Sequence, residues 1–294
     1  MATRDKREAP RRSLEELQEI SKRLSRQIIE ITTEAGSGHP SSSLSAIDIM
    51  VALYFGGVMR YDAAHPDRPD RDRFIMSKGH AAPGLYVVLA EAGYFDPDLL
   101  PTLRRTGSPL EGHPNMRALP GVEASTGSLG QGLSIGLGHA LAARLDGYDY
   151  RVYVLLGDGE IDQGQVWEAA MAAAKYDVAN LTAIVDRNRY QQTGSVREVM
   201  PSLEPLADKW SAFGWAVREV AGHDMERVLN CLYSVQDIDD RPQVIIAHTL
   251  KGKGLSPFEN DAVNRKHGVP LTADEREIAL AELEKTQGTL SGGA

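Results

Sequence analysis

An aspartate and an asparagine follow two apolar segments in a pattern that suits a divalent cation bound to a phosphate group. Asp158 stands between two glycines, directly after an apolar run that ends at Leu156. Asn188 comes 30 residues later, just beyond a second apolar run over Leu181–Val185. Mg²⁺ prefers oxygen ligands and usually takes one or two carboxylates, with phosphate oxygens and water completing its shell. We therefore interpret Asp158, the Asn188 amide and a backbone carbonyl near Tyr190 as a candidate metal site.

The glycines beside Asp158 allow a tight turn and the close approach of a ligand. A helix that follows such a turn directs its N-terminal amides towards the same place and favours a bound anion. A lone Gly-Asp-Gly sequence is common in ordinary strand-to-helix turns, so the pairing with Asn188 is what favours a functional site. The sequence does not match other phosphate-binding motifs. Residues 252–254 lack the spacing of a P-loop, and Leu141 stands where a dinucleotide-binding fingerprint needs its third glycine.

The elements that must position these residues alternate between strand and helix patterns. The predicted strands are Arg73–Ser77, Val152–Gly157, Leu181–Val185, Trp215–Val220 and Val244–Ala247. The predicted helices run from Ser13 to about Ala35, from Ser41–Ser43 to about Tyr54, and over Ala82–Ala92, Leu129–Leu145, Val166–Lys175 and Met225–Val235. Continuous apolar runs are typical of strands buried on both faces, so we predict an α/β fold with a parallel sheet covered by helices on both faces. Ligands of such sheets bind beyond the carboxyl ends of the strands.

The composition excludes several classes of partner. A net charge of −9 disfavours nucleic acid and anionic membranes. We find no apolar run long enough to cross a membrane and expect a cytoplasmic protein. The single cysteine, Cys231, excludes an intrachain disulfide. We expect one domain over residues 13–285, between a flexible basic tail at 1–12 and a flexible C-terminal tail at 286–294.

Four histidines stand beside glycine or proline in predicted loops: His39, His80, His113 and His267. Each alone is more often a structural histidine than a catalytic one. The Gly-Asp-Gly sequence with its distant Asn resembles the thiamine-diphosphate-binding motif. The four histidines, the stretch 125–132 and residues 160–169 together resemble the transketolase family, in particular the separately encoded N-terminal subunit of a split transketolase. The resemblance covers roughly Leu14–Pro270 and implies the thiamine-diphosphate-binding fold.

The resemblance implies a role for each matching residue. Asp158, Asn188 and the main-chain oxygen of Tyr190 would bind Mg²⁺ or Ca²⁺. Six residues would lie against thiamine diphosphate, besides Asn188: His80, Gly127, Leu129, Gly159, Glu160 and His267. His39, His113 and His267 would contact the sugar and accept or donate protons. The reaction implied is transfer of a two-carbon ketol unit from a ketose phosphate to an aldose phosphate.

Two departures from the family pattern carry further expectations. A complete transketolase is more than twice as long, and its pyrimidine-binding domain carries the glutamate that activates the cofactor. We expect that glutamate to come from a second chain, a transketolase C-terminal subunit, in a heterotetramer of two copies of each chain. Gln163 stands where many relatives have a glutamate that links paired active sites, which puts that proton network in doubt.

Three other interpretations remain open at this stage. The chain could be the alpha-type subunit of a 2-oxo acid dehydrogenase, which has a similar metal motif, although the four histidines favour transketolase. It could be a transketolase specialised for an unusual sugar phosphate. It could also be a regulatory homologue without catalytic activity, which the presence of the metal residues and all four histidines disfavours.

Overall fold

A computed structural model describes residues 11–259, 264 and 266–285. Most of the two predicted tails, residues 1–10 and 286–294, lies outside this part of the chain. The described α-helices are α1 (Leu14–Ala35), α2 (Pro40–Phe55), α3 (Ala82–Glu91), α4 (Gln131–Leu145), α5 (Gly164–Lys175), α6 (Val196–Val199), α7 (Leu206–Ala212), α8 (Met225–Ser234), α9 (Ser256–Glu259) and α10 (Ala273–Lys285). The described strands are β1 (Arg73–Met76), β2 (Val152–Gly157), β3 (Leu181–Arg187), β4 (Ala216–Ala221) and β5 (Gln243–His248).

The strands form one sheet in the order β1-β2-β3-β5-β4, and every neighbouring pair is parallel. The predicted parallel sheet is therefore confirmed. β2 and β3 are adjacent, with Gly157 paired to Asp186 at their carboxyl ends. This register brings the segments that follow the two strands to the same edge of the sheet.

Helices cover both faces of the sheet, as the continuous apolar strands predict. In β2, Tyr153 and Leu155 face a core built with α1, α2, α3, α8 and α10. Val154 and Leu156 face a second core built with α4, α5 and α7. All four side chains are completely buried, so β2 is held from both sides and its carboxyl end is a rigid support for the residues that follow.

The first two helices show how the sequence fixes the region before the site. α1 begins after Ser13, which forms the predicted capping box with Glu16. α2 begins at Pro40 instead of within Ser41–Ser43, because proline is favoured in the first turn of a helix, where its missing N–H costs nothing. His39 is consequently the residue at the N-terminus of α2, and every residue of α2 is buried.

β4 differs from its prediction as a strand buried on both faces. It lies at an edge of the sheet, and only Val220 among its six residues is buried. The sequence Ala-Val-Arg-Glu-Val-Ala contains two charged residues in mid-strand, Arg218 and Glu219, and both are exposed. Charged side chains are typical of edge strands.

None of the helices in the described part of the chain is long and apolar enough to cross a membrane.

Candidate functional site

A cavity of about 420 Å³ opens at the carboxyl ends of β2 and β3. We call it the central cavity. Its walls contain all eleven site residues predicted from the sequence: His39, His80, His113, Gly127, Leu129, Asp158, Gly159, Glu160, Asn188, Tyr190 and His267. Residues that are far apart in the chain therefore converge on one space, as the strand-end rule predicts.

Asp158 and Asn188 are tied to each other through the turn that follows β3. The Asp158 carboxylate is buried and accepts hydrogen bonds from the backbone N–H of Gly159 (2.9 Å) and of Arg189 (2.6 Å). Arg189, directly after Asn188, has a left-handed backbone with φ 68°. The backbone N–H of Tyr190 donates to Oδ1 of Asn188 at 3.1 Å. The turn after β3 thus holds Asp158, through the N–H of Arg189, close to Asn188 and Tyr190.

The hydrogen bonds of the side-chain nitrogen of Asn188 fix the orientation of its amide. Nδ2 of Asn188 donates to Oδ2 of Asp186 at 3.2 Å and lies 3.4 Å from Oγ of Ser45. Because the nitrogen is engaged with these acceptors, Oδ1 is directed away from them, on the side of Tyr190. An amide oxygen held in this way is a suitable ligand for a hard cation.

The electrostatics of Asp158 fit a bound cation. Burial, together with the negative charge of Asp186, raises the pKa of Asp158 to about 7. A buried carboxylate whose negative charge is this poorly compensated is stabilised strongly by a nearby positive ion. Within the described residues, no cluster of three or more histidine, cysteine, aspartate or glutamate side chains could hold a metal alone. One carboxylate, from Asp158, and one amide oxygen, from Asn188, suit Mg²⁺ that takes most of its ligands from a phosphate and water.

Glu160 connects three parts of the cavity wall. Its carboxylate accepts from the backbone N–H of Gly157 (3.0 Å) and of Gly130 (2.9 Å), and from the Ser77 hydroxyl (2.5 Å). These donors lie at the end of β2, at the start of α4 and just after β1. The Glu160 side chain is therefore occupied by the protein, and it joins the segments that form the cavity. Burial raises its pKa.

Glycines bring backbone close to the cavity where a side chain would not fit. Gly127 has φ 154°, and a Cβ added there would lie 3.1 Å from the His113 ring. A Cβ on Gly79, just before His80, would lie 2.7 Å from the carbonyl carbon of Thr126. These close approaches hold the 126–127 backbone against two histidine segments and provide a smooth wall for a flat ring.

Three of the predicted histidines form one cluster. The ring centroids of His39 and His80 are 5.0 Å apart, and each lies 5.3 Å from the ring of His267. Burial lowers the pKa of all three, with added contributions from Arg104 for His39, Lys78 for His80 and Lys251 for His267. The pKa values fall to about 4 for His39 and about 3 for His267.

His113 stands apart from this cluster and is the most exposed of the four. Burial, and then the charge of Arg104, lowers its pKa. All four imidazoles are thus neutral at pH 7, so each has one nitrogen that donates and one that accepts hydrogen bonds. Such groups can bind sugar hydroxyls and exchange protons with them.

The sequence prediction missed three charged residues around the cavity. Lys78 and Asp186 form a buried ion pair with a separation of 2.5 Å between Nζ and Oδ2. Nζ of Lys251 lies 2.6 Å from Nδ1 of His267 and 5.9 Å from the centre of the Tyr190 ring. Each of the three residues lies at the carboxyl end of a strand or just after it. Applying the strand-end rule to every charged residue would therefore have found them. The charge of Lys78 is compensated by Asp186, whereas the ammonium of Lys251 favours an anionic ligand such as a diphosphate.

Comparisons with known proteins agree with this geometry. Residues 18–286 match the thiamine diphosphate binding domain of transketolase. The chain is 44% identical over 272 residues to a subunit of apulose-4-phosphate transketolase from Phocaeicola vulgatus, covering 92% of this chain and 95% of that protein. It is 42% identical over 257 residues to a 6-deoxy-6-sulfo-D-fructose transketolase subunit of a Clostridium strain, covering 87% of this chain and 92% of that protein.

Full-length transketolases match over the same region. The human enzyme is 40% identical over 271 residues, which is 92% of this chain and 42% of the human protein. The crystal structure of transketolase from Campylobacter jejuni superposes with a TM-score of 0.86 at 29% identity, covering 93% of this chain and 43% of that one. The chain therefore spans about two fifths of the length of these larger relatives.

Proposed function

The chain belongs to the transketolase family, and we propose that it is the diphosphate-binding subunit of a split transketolase. In this role it transfers a two-carbon ketol unit from a ketose phosphate to an aldose phosphate together with a second chain. The observation that carries the proposal is the convergence of Asp158, Asn188 and four neutral histidines on one cavity. Two relatives that match along nearly their whole length are named as transketolase subunits.

The residues for the cofactor fit thiamine diphosphate with Mg²⁺ or Ca²⁺. Asp158, Asn188 and the main-chain oxygen of Tyr190 would hold the cation, which would compensate the buried charge of Asp158. Gly159, Glu160 and the helix that follows them would lie beside the diphosphate, where helix N-terminal amides stabilise anions. His80 and His267 would contact the same group, with Lys251 behind His267 adding positive charge. Gly127 and Leu129 would approach the thiamine.

Once bound, thiamine diphosphate supplies the stabilisation of carbanions that ketol transfer requires. The chain's own histidines would orient the sugar and move its protons. His39 and His113 would face the substrate hydroxyls. His267 would act beside the reacting carbonyl, and the ammonium of Lys251 at its Nδ1 fixes which ring nitrogen remains for the substrate.

A second chain would complete the active site. The pyrimidine-binding domain of a transketolase C-terminal subunit would contribute the glutamate that activates the cofactor. The names of the two relatives as subunits support this arrangement. We propose two copies of each chain in the assembly. Gln163, exposed immediately before α5, would lie where the family links paired sites, and its neutral side chain could not share a proton there as a carboxylate would.

A transketolase specialised for an unusual sugar phosphate is a second candidate within the same function. It is favoured by the names of the two subunit relatives, which specify an apulose phosphate and a sulfonated fructose. The 2-oxo acid dehydrogenase interpretation receives no support from these matches. The regulatory interpretation is disfavoured because every predicted site residue lines the cavity.

Reconstitution tests the proposal. The purified chain alone should transfer little ketol, and addition of its partner chain with thiamine diphosphate and Mg²⁺ should restore turnover of a ketose phosphate and an aldose phosphate. Full activity of the lone chain would refute the two-chain arrangement. Decarboxylation of a 2-oxo acid by the pair, without ketol transfer, would refute the reaction. Absence of Mg²⁺-dependent cofactor binding with and without the partner would leave the regulatory interpretation.

A further inference from the structure

One guanidinium joins the loops that carry two of the sugar-facing histidines. Nη1 of Arg104 donates to Oγ of Ser37 at 2.7 Å, and Nη2 donates to the carbonyl oxygen of Gly112 at 3.2 Å. Ser37 precedes His39 by two residues, and Gly112 immediately precedes His113. Arg104 therefore spans the gap between two chain segments that are more than seventy residues apart.

Arg104 is presented from a fixed support. Its backbone has a left-handed φ of 59°, which bulky residues adopt only where the surroundings impose it. The residue before it, Leu103, and the nearby Leu110 are buried. The backbone N–H of Arg104 also donates to the carbonyl oxygen of Leu110 at 2.8 Å, closing the loop between them. The side chain thus extends from a rigid base towards the two histidine loops.

The two histidine loops have separate anchors of their own. The hydroxyl of Tyr86 donates to the carbonyl oxygens of Glu111 (2.9 Å) and His113 (3.1 Å). His39, in contrast, is held at the N-terminus of α2. Each loop is fixed to a different helix, and Arg104 is a side chain that forms hydrogen bonds with both loops.

Arginine suits this task better than lysine. Its planar guanidinium carries donors in a fixed fork and can satisfy two acceptors at a set separation. A lysine ammonium at the same place has the charge but lacks the planar arrangement of donors that can reach both acceptors. The positive charge matters as well, because Arg104 adds to burial in lowering the pKa of both His39 and His113.

We propose that Arg104 is a positioning residue that holds the loops of His39 and His113 at the separation needed for both imidazoles to contact one sugar. This inference rests on the proposed function for its catalytic consequence. Its structural part, the spacing of the two imidazoles, can be tested independently of any activity. Misplacement of catalytic groups by about 1 Å is enough to lower a rate about 100-fold.

The experiment compares Arg104→Met, Arg104→Lys and Arg105→Met in the complex with the partner chain, thiamine diphosphate and Mg²⁺. Arg105 is the matched control, because this neighbouring arginine is exposed and its guanidinium pairs with the exposed Glu34, at 2.6 Å. We expect kcat/KM for ketol transfer to fall about 10- to 100-fold in Arg104→Met and less in Arg104→Lys. Arg105→Met should retain wild-type kcat/KM, and cofactor affinity should be unchanged in all three.

A second variant, with a smaller change, keeps the proposal testable if Arg104→Met does not fold. Ser37→Ala removes one of the two acceptors and should give a smaller loss. Combined with Arg104→Met it should add little to the loss from Arg104→Met alone, because both changes remove the same contact. Additive losses of kcat/KM in the double variant would show that Arg104 does not act through its contact with Ser37. Wild-type kcat/KM in Arg104→Met, in an active complex, would overturn the proposal as a whole.

Imidazole NMR signals of the isolated chain separate this proposal from the proposed function. We expect the ring signals of His39 and His113 to shift in Arg104→Met and also in Arg104→Lys, which keeps the positive charge, and to stay unchanged in Arg105→Met. If the wild-type complex shows no ketol transfer, the proposed function is wrong. The histidine signals still test whether Arg104 positions the two imidazoles. Unchanged signals in a folded Arg104→Met variant would overturn the role of Arg104.

Discussion

Nζ of Lys78 lies 2.5 Å from Oδ2 of Asp186 at the base of the candidate cofactor site, and both side chains are almost completely buried. Asp186 also accepts from the hydroxyls of Ser45 and Thr249 and from the Asn188 amide. Burial alone would raise the pKa of Asp186, but the charge of Lys78 lowers it. The pair therefore holds the amide of a candidate metal ligand in one orientation before any ligand arrives.

Asp186→Asn is expected to destabilise the fold by roughly 3–5 kcal/mol, because it leaves the Lys78 ammonium buried without its counter-charge. Urea denaturation of the isolated chain measures this loss. Asp240→Asn is the control, since Asp240 forms an exposed pair with Arg241 at 2.6 Å and should leave stability unchanged. Equal stabilities of the two variants would show that the buried pair is not important for the fold.

Asp158→Asn is expected to abolish Mg²⁺-dependent binding of thiamine diphosphate, because the neutral amide removes the carboxylate proposed to bind the cation. Titration calorimetry with and without Mg²⁺ measures the effect. Asp146→Asn serves as the control, since this exposed residue follows α4 at the opposite end of the sheet. Undiminished binding by a folded Asp158→Asn variant would place the cation elsewhere.

The buried histidines His39 and His267 are expected to lower the stability of the chain on acidification between about pH 6.5 and pH 4. In this range the unfolded chain protonates His39 and His267, whose ordinary pKa is 6.5, while burial keeps them neutral in the folded state. The unfolded state then binds more protons, so the free energy of unfolding falls as the pH falls, by at most about 1.4 kcal/mol per pH unit for each histidine. The stability that these two neutral histidines contribute is fully present above pH 6.5. Asp158 acts in the opposite direction, because its raised pKa of about 7 lets the folded state bind a proton over the same range.

Urea denaturation at several pH values checks this expectation in the wild type and in His267→Gln. The variant lacks one of the two protonating groups, so its stability should depend less steeply on pH. Identical slopes would mean that His267 titrates normally in the folded chain.

Gly79→Ala and Gly138→Ala should change stability in opposite directions. A Cβ at Gly79 would lie 2.7 Å from the backbone of Thr126, so we expect a loss of about 1–3 kcal/mol and weaker cofactor binding. A Cβ at Gly138, within α4, meets nothing within 4 Å, and alanine there should stabilise by about 0.5–1 kcal/mol. Thermal unfolding measures both. A neutral result for Gly79→Ala would show that the 126–127 segment can move aside.

The sheet and the candidate metal residues could be predicted from local signals, whereas the histidines and the other residues of the cavity were predicted from the resemblance to the transketolase family. The apolar runs of β2 and β3 identify buried parallel strands, and the polar residues after them necessarily reach the same edge. β4 was misjudged because Trp215 and Val220 suggested a buried strand. Its position at the edge depends on the strand order, which local sequence does not contain.

The contacts across the site were beyond sequence reasoning for a related reason. Lys78 and Asp186 are 108 residues apart, and nothing in either segment specifies the other as its partner. The same holds for Arg104 and Ser37. Such pairs arise from the tertiary arrangement of loops. Residue types therefore indicated which chemistry the site could perform. The groups that orient the site residues could be identified only from the three-dimensional structure.

The exposed edge of the sheet has a consequence for the behaviour of the chain on its own. An unpaired strand offers backbone donors and acceptors to any other extended segment, which invites stacking of copies into aggregates. In β4, Arg218 and Glu219 occupy the middle of that edge, and Glu219 also contacts His248 of β5 at 2.7 Å. Adding a further strand would bring these charges against a neighbour, so this edge disfavours the stacking of copies of the chain.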